Sequence, residues 1–128
     1  MASELKVDKF TGVTTAGSIL ITGEGNSTTT NLQQGLAKFW AGELSHANDT
    51  AEDTFNNSSF TNVGTGKIGC NFTNNMSNND CSVTYSCSGQ YPYQGFMNGT
   101  TQVQHLTVNS GNSFADGNGG LAVHGDLA

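Results

Sequence analysis

Arginine is absent from this 128-residue chain, and lysine occurs only at Lys6, Lys9, Lys38 and Lys67. Ten acids outweigh these four cations, for a net charge of -6. Phosphate backbones and anionic membranes are gripped by clustered cations. Neither nucleic acid nor a membrane is therefore an expected partner. No apolar stretch approaches the ~20 residues of a membrane-spanning helix. The N-terminal MASELKVDKF also lacks the apolar core of a secretory signal peptide. Without such a signal, the sequons at Asn26, Asn48, Asn56, Asn57, Asn71, Asn75 and Asn98 reflect Asn, Ser and Thr richness, not glycosylation.

Cysteine is scarce as well. Cys70, Cys81 and Cys87 are an odd number and cannot all pair within one chain. Cys81 and Cys87 fall on one expected strand. Six residues at ~3.3 Å set them about 20 Å apart, whereas a disulfide needs Cα atoms within ~7 Å. Small buried thiols are the expected state.

Gly, Asn, Ser and Thr fill the space that charge leaves. Such a composition suits either disorder or an all-β fold with many tight turns, where Gly and Asn supply positive φ. The chain lacks the Glu, Lys and Pro of disordered segments, and its seven Phe, three Tyr and one Trp are spread along its length. The ordered β reading follows, as one domain that buries about two-thirds of its unfolded surface.

Residues 1 to 30 read as an extended arm. Leu5, Val7 and Phe10 suggest a short strand, and Ile19, Leu20 and Ile21 form a compact apolar run. Neither is wide enough for a self-sufficient layer, so the arm is expected to order against a partner. A helix is expected over Asn31 to Leu44. Thr30 with Gln33, or Asn31 with Gln34, fits a capping box, and Leu32, Leu36, Phe39 and Trp40 recur at helical spacing. Leu36 to Trp40 fits a strand too, because short runs do not separate the two periods. Phe39 and Trp40 read as core or subunit packing.

The pattern turns to β from Thr54. Phe55 starts one strand, and Phe60 with Val63 marks another. Ile68, Cys70 and Phe72 alternate with polar neighbours, as do Cys81, Val83 and Tyr85. A hairpin through the polar loop Asn74 to Asp80 would pair Phe72 with Cys81, Cys70 with Val83 and Ile68 with Tyr85. Tyr91 to Met97 is a further strand, held to an edge by the sole proline, Pro92. Val103 to Val108 and Leu121 to His124 complete about seven strands, separated by turns, the pattern of a sandwich or jelly roll. The expected fold is thus an all-β antiparallel sandwich (residues 31 to 128) with an N-terminal arm and one short helix.

Catalytic chemistry is not apparent. His46, His105 and His124 lack metal-ligand spacing and read as surface or interface residues. Asp49, Glu52 and Asp53 read as solvated loop acids, not as a glycosidase pair. Asp116-Gly117-Asn118-Gly119 resembles the start of a calcium loop but lacks the later carboxylate. Gly64 to Lys67 lacks phosphate-loop spacing. No enzyme activity, metal or cofactor is expected. The aromatic residues Tyr91, Tyr93 and Phe96 form either strand core or a recognition surface.

One stretch carries a family resemblance. TFNNSSFTNVGTGKIGCNFTNNM, residues 54 to 76, resembles a recurrent segment of small virion proteins and fibre-tip domains of tailed phages, many infecting marine bacteria and cyanobacteria. The segment LKVDKFTGVTTAGSILITGEGNSTTTNLQQGLAKFW looks like their N-terminal module, and the closing Gly125-Asp126-Leu127-Ala128 resembles their usual end. Asn62 stands where that family usually has Asp, Lys67 to Cys70 replaces a more aromatic strand, and Ser86 to Thr101 follows no shared pattern. The resemblance implies a non-enzymatic protein on the phage particle surface, a homotrimer decorating or cementing the capsid. Its partners would be itself and the major capsid protein or another virion protein. Leu5, Val7, Ile19, Leu20, Ile21, Phe39 and Trp40 are the expected assembly residues. The alternative is a tail-fibre or receptor-binding tip that recognises a host surface through Tyr91, Tyr93 and Phe96.

Overall fold

The structure is a computed structural model that describes residues 4–11, 19–22 and 29–126. The chain divides into two units, Met1–Leu36 and Ala37–Ala128.

Among its described residues the first unit holds one small hairpin. Strand β1 (Leu20–Thr22) pairs antiparallel with β2 (Thr29–Asn31), Leu20 opposite Asn31 and Thr22 opposite Thr29. A single helical turn, α1 (Leu32–Gly35), follows, and the Leu32 N–H donates to the Ile19 carbonyl at 2.9 Å. Leu5 and Val7 lie in irregular chain, not in the short strand expected there. A lone two-stranded hairpin is at best marginally stable in water, and the apolar side chains here do not cover one another. Leu5 is 72% exposed, and Val7, Phe10, Leu20, Ile21 and Leu36 are exposed too.

The second unit is a sandwich of two four-stranded antiparallel sheets. Its strands are β3 (Ala37–Ser45), β4 (Asp53–Phe55), β5 (Asn57–Gly64), β6 (Lys67–Phe72), β7 (Ser82–Tyr85), β8 (Tyr91–Met97), β9 (Gln102–Val108) and β10 (Asn118–His124). One sheet has the order β4-β3-β10-β7, the other β5-β6-β9-β8. The all-β expectation holds.

Two expectations within it do not. The helix over Asn31 to Leu44 is one turn long, and the chain is extended from Ala37 onward. Phe39 and Ala41 point into the core while Trp40 between them faces out, an alternation that only a strand permits. Glu43, at φ 50°, interrupts the strand, after which Leu44 takes the buried position. The Leu36, Phe39 and Trp40 spacing that imitates a helix belongs to no single face.

The hairpin expected between Ile68–Phe72 and Cys81–Tyr85 is also absent. β6 pairs with β5 and β9, and β7 pairs only with β10 in the other sheet. The two alternating sets share one core but reach it from opposite layers. Ile68, Cys70 and Phe72 are buried in it, and Cys81 and Val83 pack against it. Their connection is not wholly polar, since Met76 is buried in the core.

The core joins Phe39, Leu44, Leu121 and Val123 of one sheet to Ile68, Cys70, Phe72 and Val103 of the other. Phe39 and Phe72 meet with ring centroids 5.3 Å apart. The outer face of the second sheet carries an amide ladder. Asn71 Nδ2 donates to the Thr61 hydroxyl at 2.9 Å, Gln102 Nε2 to Asn71 Oδ1 at 2.8 Å, and Gln104 Nε2 to Gln102 Oε1 at 2.9 Å. Four edge strands remain. β8 carries Pro92 and a register irregularity between Pro92 and Gln94, features that discourage pairing with another chain.

Candidate functional site

Three parts of the second unit are candidates: a buried histidine pair, an apolar outer face, and an aromatic groove.

His46 follows β3, while His105 and Thr107 occupy alternate inward positions of β9. Both histidines are buried in the chain's own core, not at the surface or interface expected of them; His124 is half-buried. The sequence offers no apolar stripe at His46 that would announce burial. At His105 a signal was present, since it shares strand parity with Val103. His46 Nε2 lies 2.9 Å from His105 Nδ1, with the rings nearly perpendicular at 87°. The Thr107 hydroxyl donates to the Ala115 carbonyl at 2.7 Å and lies 3.3 Å from His46 Nδ1. Because that hydroxyl proton is committed, His46 Nδ1 carries the hydrogen and Nε2 accepts from His105 Nδ1. His105 Nε2 is then a buried lone pair with no partner.

Burial pushes the His105 pKa down to about 4; His46 adds to the shift, and the nearby Ser86 carbonyl partly opposes it. Burial also lowers His46, against the pull of Asp116, the Gly66 carbonyl and Asp49. The pair is neutral at pH 7 and enclosed in the sandwich. Gly119 leaves room for the His105 ring, and Gly66 for the nearby backbone of Thr107 and Ala115. A Cβ on Gly119 would crowd the Ser86 carbonyl and come 2.9 Å from His105 Cε1. Gly66, at φ +68°, would place a Cβ 2.6 Å from the Thr107 carbonyl oxygen.

Two acids of the sequence analysis, Asp116 and Asp49, have structural partners. Asp116 Oδ1 accepts from the Gly66 N–H at 2.6 Å, which ties the loop after β9 to the β5–β6 turn. Asp49 accepts from Asn62 Nδ2 at 2.9 Å. Among the described residues no three of His, Cys, Asp and Glu converge as a metal ion would need. All three cysteines are free thiols.

Of the expected assembly residues, Leu5, Val7, Leu20 and Ile21 are exposed and Ile19 is half-buried. Phe39 is 0% exposed and belongs to the chain's own core, which removes it from any interface. Trp40 is 37% exposed and lies directly opposite exposed Phe55 on the neighbouring strand, with Ala122 on its other side. The row Phe55, Trp40, Ala122 forms an apolar strip on the outside of the first sheet.

Tyr91 and Tyr93 are 60% and 49% exposed, and Phe96 is half-buried on the amide-bearing face. The two tyrosines are thus surface, not strand core. They line an open groove of about 380 Å³ with Pro92, Val108 and the loop residues Asn109, Ser110 and Asn112.

Fold and surfaces together define an antiparallel β-sandwich preceded by an N-terminal unit with exposed apolar side chains. No family model, curated protein or solved structure matches the chain.

Proposed function

We propose that this chain is a non-enzymatic structural protein of a tailed-phage virion, decorating or cementing the capsid surface as a homo-oligomer. The observation that carries the reading is the exposure of Leu5, Val7, Phe10, Leu20 and Ile21 in an N-terminal unit built on one hairpin. Each such side chain, 48% to 72% exposed, forgoes part of the ~1.5–3 kcal/mol that full burial gives. A partner surface would recover it, either a neighbouring copy or the major capsid protein. An added strand can do so through main-chain hydrogen bonds, and a repeating lattice multiplies weak contacts. The resemblance of residues 54 to 76 to phage virion proteins supports the same assignment and is the ground for three subunits. The role uses no cofactor.

A second reading, a receptor-binding tip of a tail fibre, is favoured by the exposed tyrosines at the groove. Mass spectrometry and electron microscopy of purified particles separate the two. Many copies distributed over the head are expected. A few copies confined to the tail would transfer the protein to the fibre, and absence from the particle would overturn both.

A further inference from the structure

We propose that the groove beside β8 binds a neutral carbohydrate. The inference deepens the tail-fibre reading, but its grounds are the chemistry of the groove. Tyr91, Pro92 and Tyr93 line one side, and Val108 with the loop after β9 lines the other. The volume, about 380 Å³, falls within the range of small-molecule sites, ~300–1,000 Å³.

The Tyr93 ring is held in advance. The Tyr93 ring stands edge-on to Phe114, with centroids 5.6 Å apart at 81°, and the Lys67 ammonium lies 3.9 Å above the Phe114 ring. The loop is held as well. Asn109 Oδ1 accepts from the Gly111 N–H at 2.9 Å and the Ser113 N–H at 3.1 Å, and the Asn112 N–H donates to the Asn109 carbonyl at 3.0 Å. A site fixed before binding loses little conformational freedom to its ligand.

Its polar side chains are uncharged, and two of them are unused. Among the described residues, the Ser110 hydroxyl and the Asn112 side-chain amide make no hydrogen bond. Both groups donate and accept, as the vicinal hydroxyls of a sugar do. The apolar C–H face of a pyranose ring matches an exposed tyrosine, which offers an apolar body and a polar tip. No charged side chain lines the groove, and the chain carries -6 overall. An acidic glycan is therefore disfavoured. A proline-rich peptide would also pack on tyrosines, but it offers mainly carbonyl acceptors and leaves the amide and hydroxyl acceptors of the loop unmatched.

Two-dimensional NMR of the full chain tests the proposal. The probes are trimers of β-linked glucose, β-linked N-acetylglucosamine and α-linked mannose, with a proline-rich decapeptide alongside. At least one sugar is expected to shift the amides of Tyr93, Ser110 and Asn112. Tyr91→Ala and Tyr93→Ala should each weaken it by about tenfold, equivalent to roughly 1.4 kcal/mol. Both tyrosines are exposed, and circular dichroism of each variant checks that the fold persists. Silence with all three sugars would overturn the proposal, as would shifts with the peptide alone. Sugar binding by a protein found only on the head would overturn the fibre reading and leave the groove standing.

Discussion

His46 Nε2 and His105 Nδ1 meet at 2.9 Å inside the sandwich, joining the end of β3 in one sheet to β9 in the other. Neither ring can take up a proton without placing a charge in the core. Asp116 and Asp49 favour a charge on His46, while His46 itself disfavours one on His105.

Stability is therefore expected to depend on pH in a definite window. The unfolded chain protonates His105 near its ordinary value of 6.5, the native chain only near about 4. The unfolded state binds the extra proton between these values. This contribution is complete above about pH 6.5, declines as the pH falls toward about 4, and is spent below that. Its size is at most roughly 3 kcal/mol. Urea unfolding across the window checks it, and His105→Gln should flatten the slope. An unchanged slope in that variant would assign the acid sensitivity elsewhere.

Phe39 and Trp40 are neighbours on β3 with opposite roles. Phe39→Ala should destabilise the fold by about 3–5 kcal/mol, because it empties a fully buried site. Trp40→Ala, alone or with Phe55→Ala, should leave the melting temperature nearly unchanged but cost about 2 kcal/mol of association if the strip is an assembly hot spot. Light scattering and thermal melts distinguish the two. A stable monomer in the parent chain would remove the assembly role.

Deletion of residues 1 to 36 should leave a folded sandwich that no longer assembles, since the unit boundary lies between Leu36 and Ala37. Circular dichroism and particle binding report the two effects separately. Loss of cooperative unfolding would show that the first unit contributes to the core.

Gly66→Ala should destabilise by about 2 kcal/mol or more, because its φ of +68° and the close Thr107 and Ala115 backbone both oppose a Cβ. The loop bearing Asp116 should loosen first, read as faster amide exchange from Asn109 to Gly117.

The cysteines should differ in reactivity. Burial pushes the Cys70 thiol up to about 12. Cys81 is raised by burial and then by Asp126 and Asp80. Alkylation of the native protein should reach Cys81 and Cys87 and spare Cys70 until unfolding. Unreduced digests should contain no peptide pair joined through Cys81 and Cys87, which flank β7 as free thiols.

Much of the architecture was legible in the residues alone. Alternation at Ile68, Cys70 and Phe72 marked the buried face of β6. Pro92 marked β8 as an edge, since a residue without an N–H cannot serve between two strands. The scarcity of charge and the Gly and Asn turns pointed to an all-β chain. Pairing was not legible, because a strand's period names its apolar face but not its neighbour. Cys81 and Val83 therefore satisfied the hairpin register on paper while lying in the opposite layer. Around Leu36 to Trp40 the two periods overlap, and only packing chose the strand, by burying Phe39 and turning Trp40 outward. The histidine pair was beyond sequence reasoning for the same reason. His46 and His105 are 59 residues apart, and only the closing of one sheet on the other brings their ring nitrogens together.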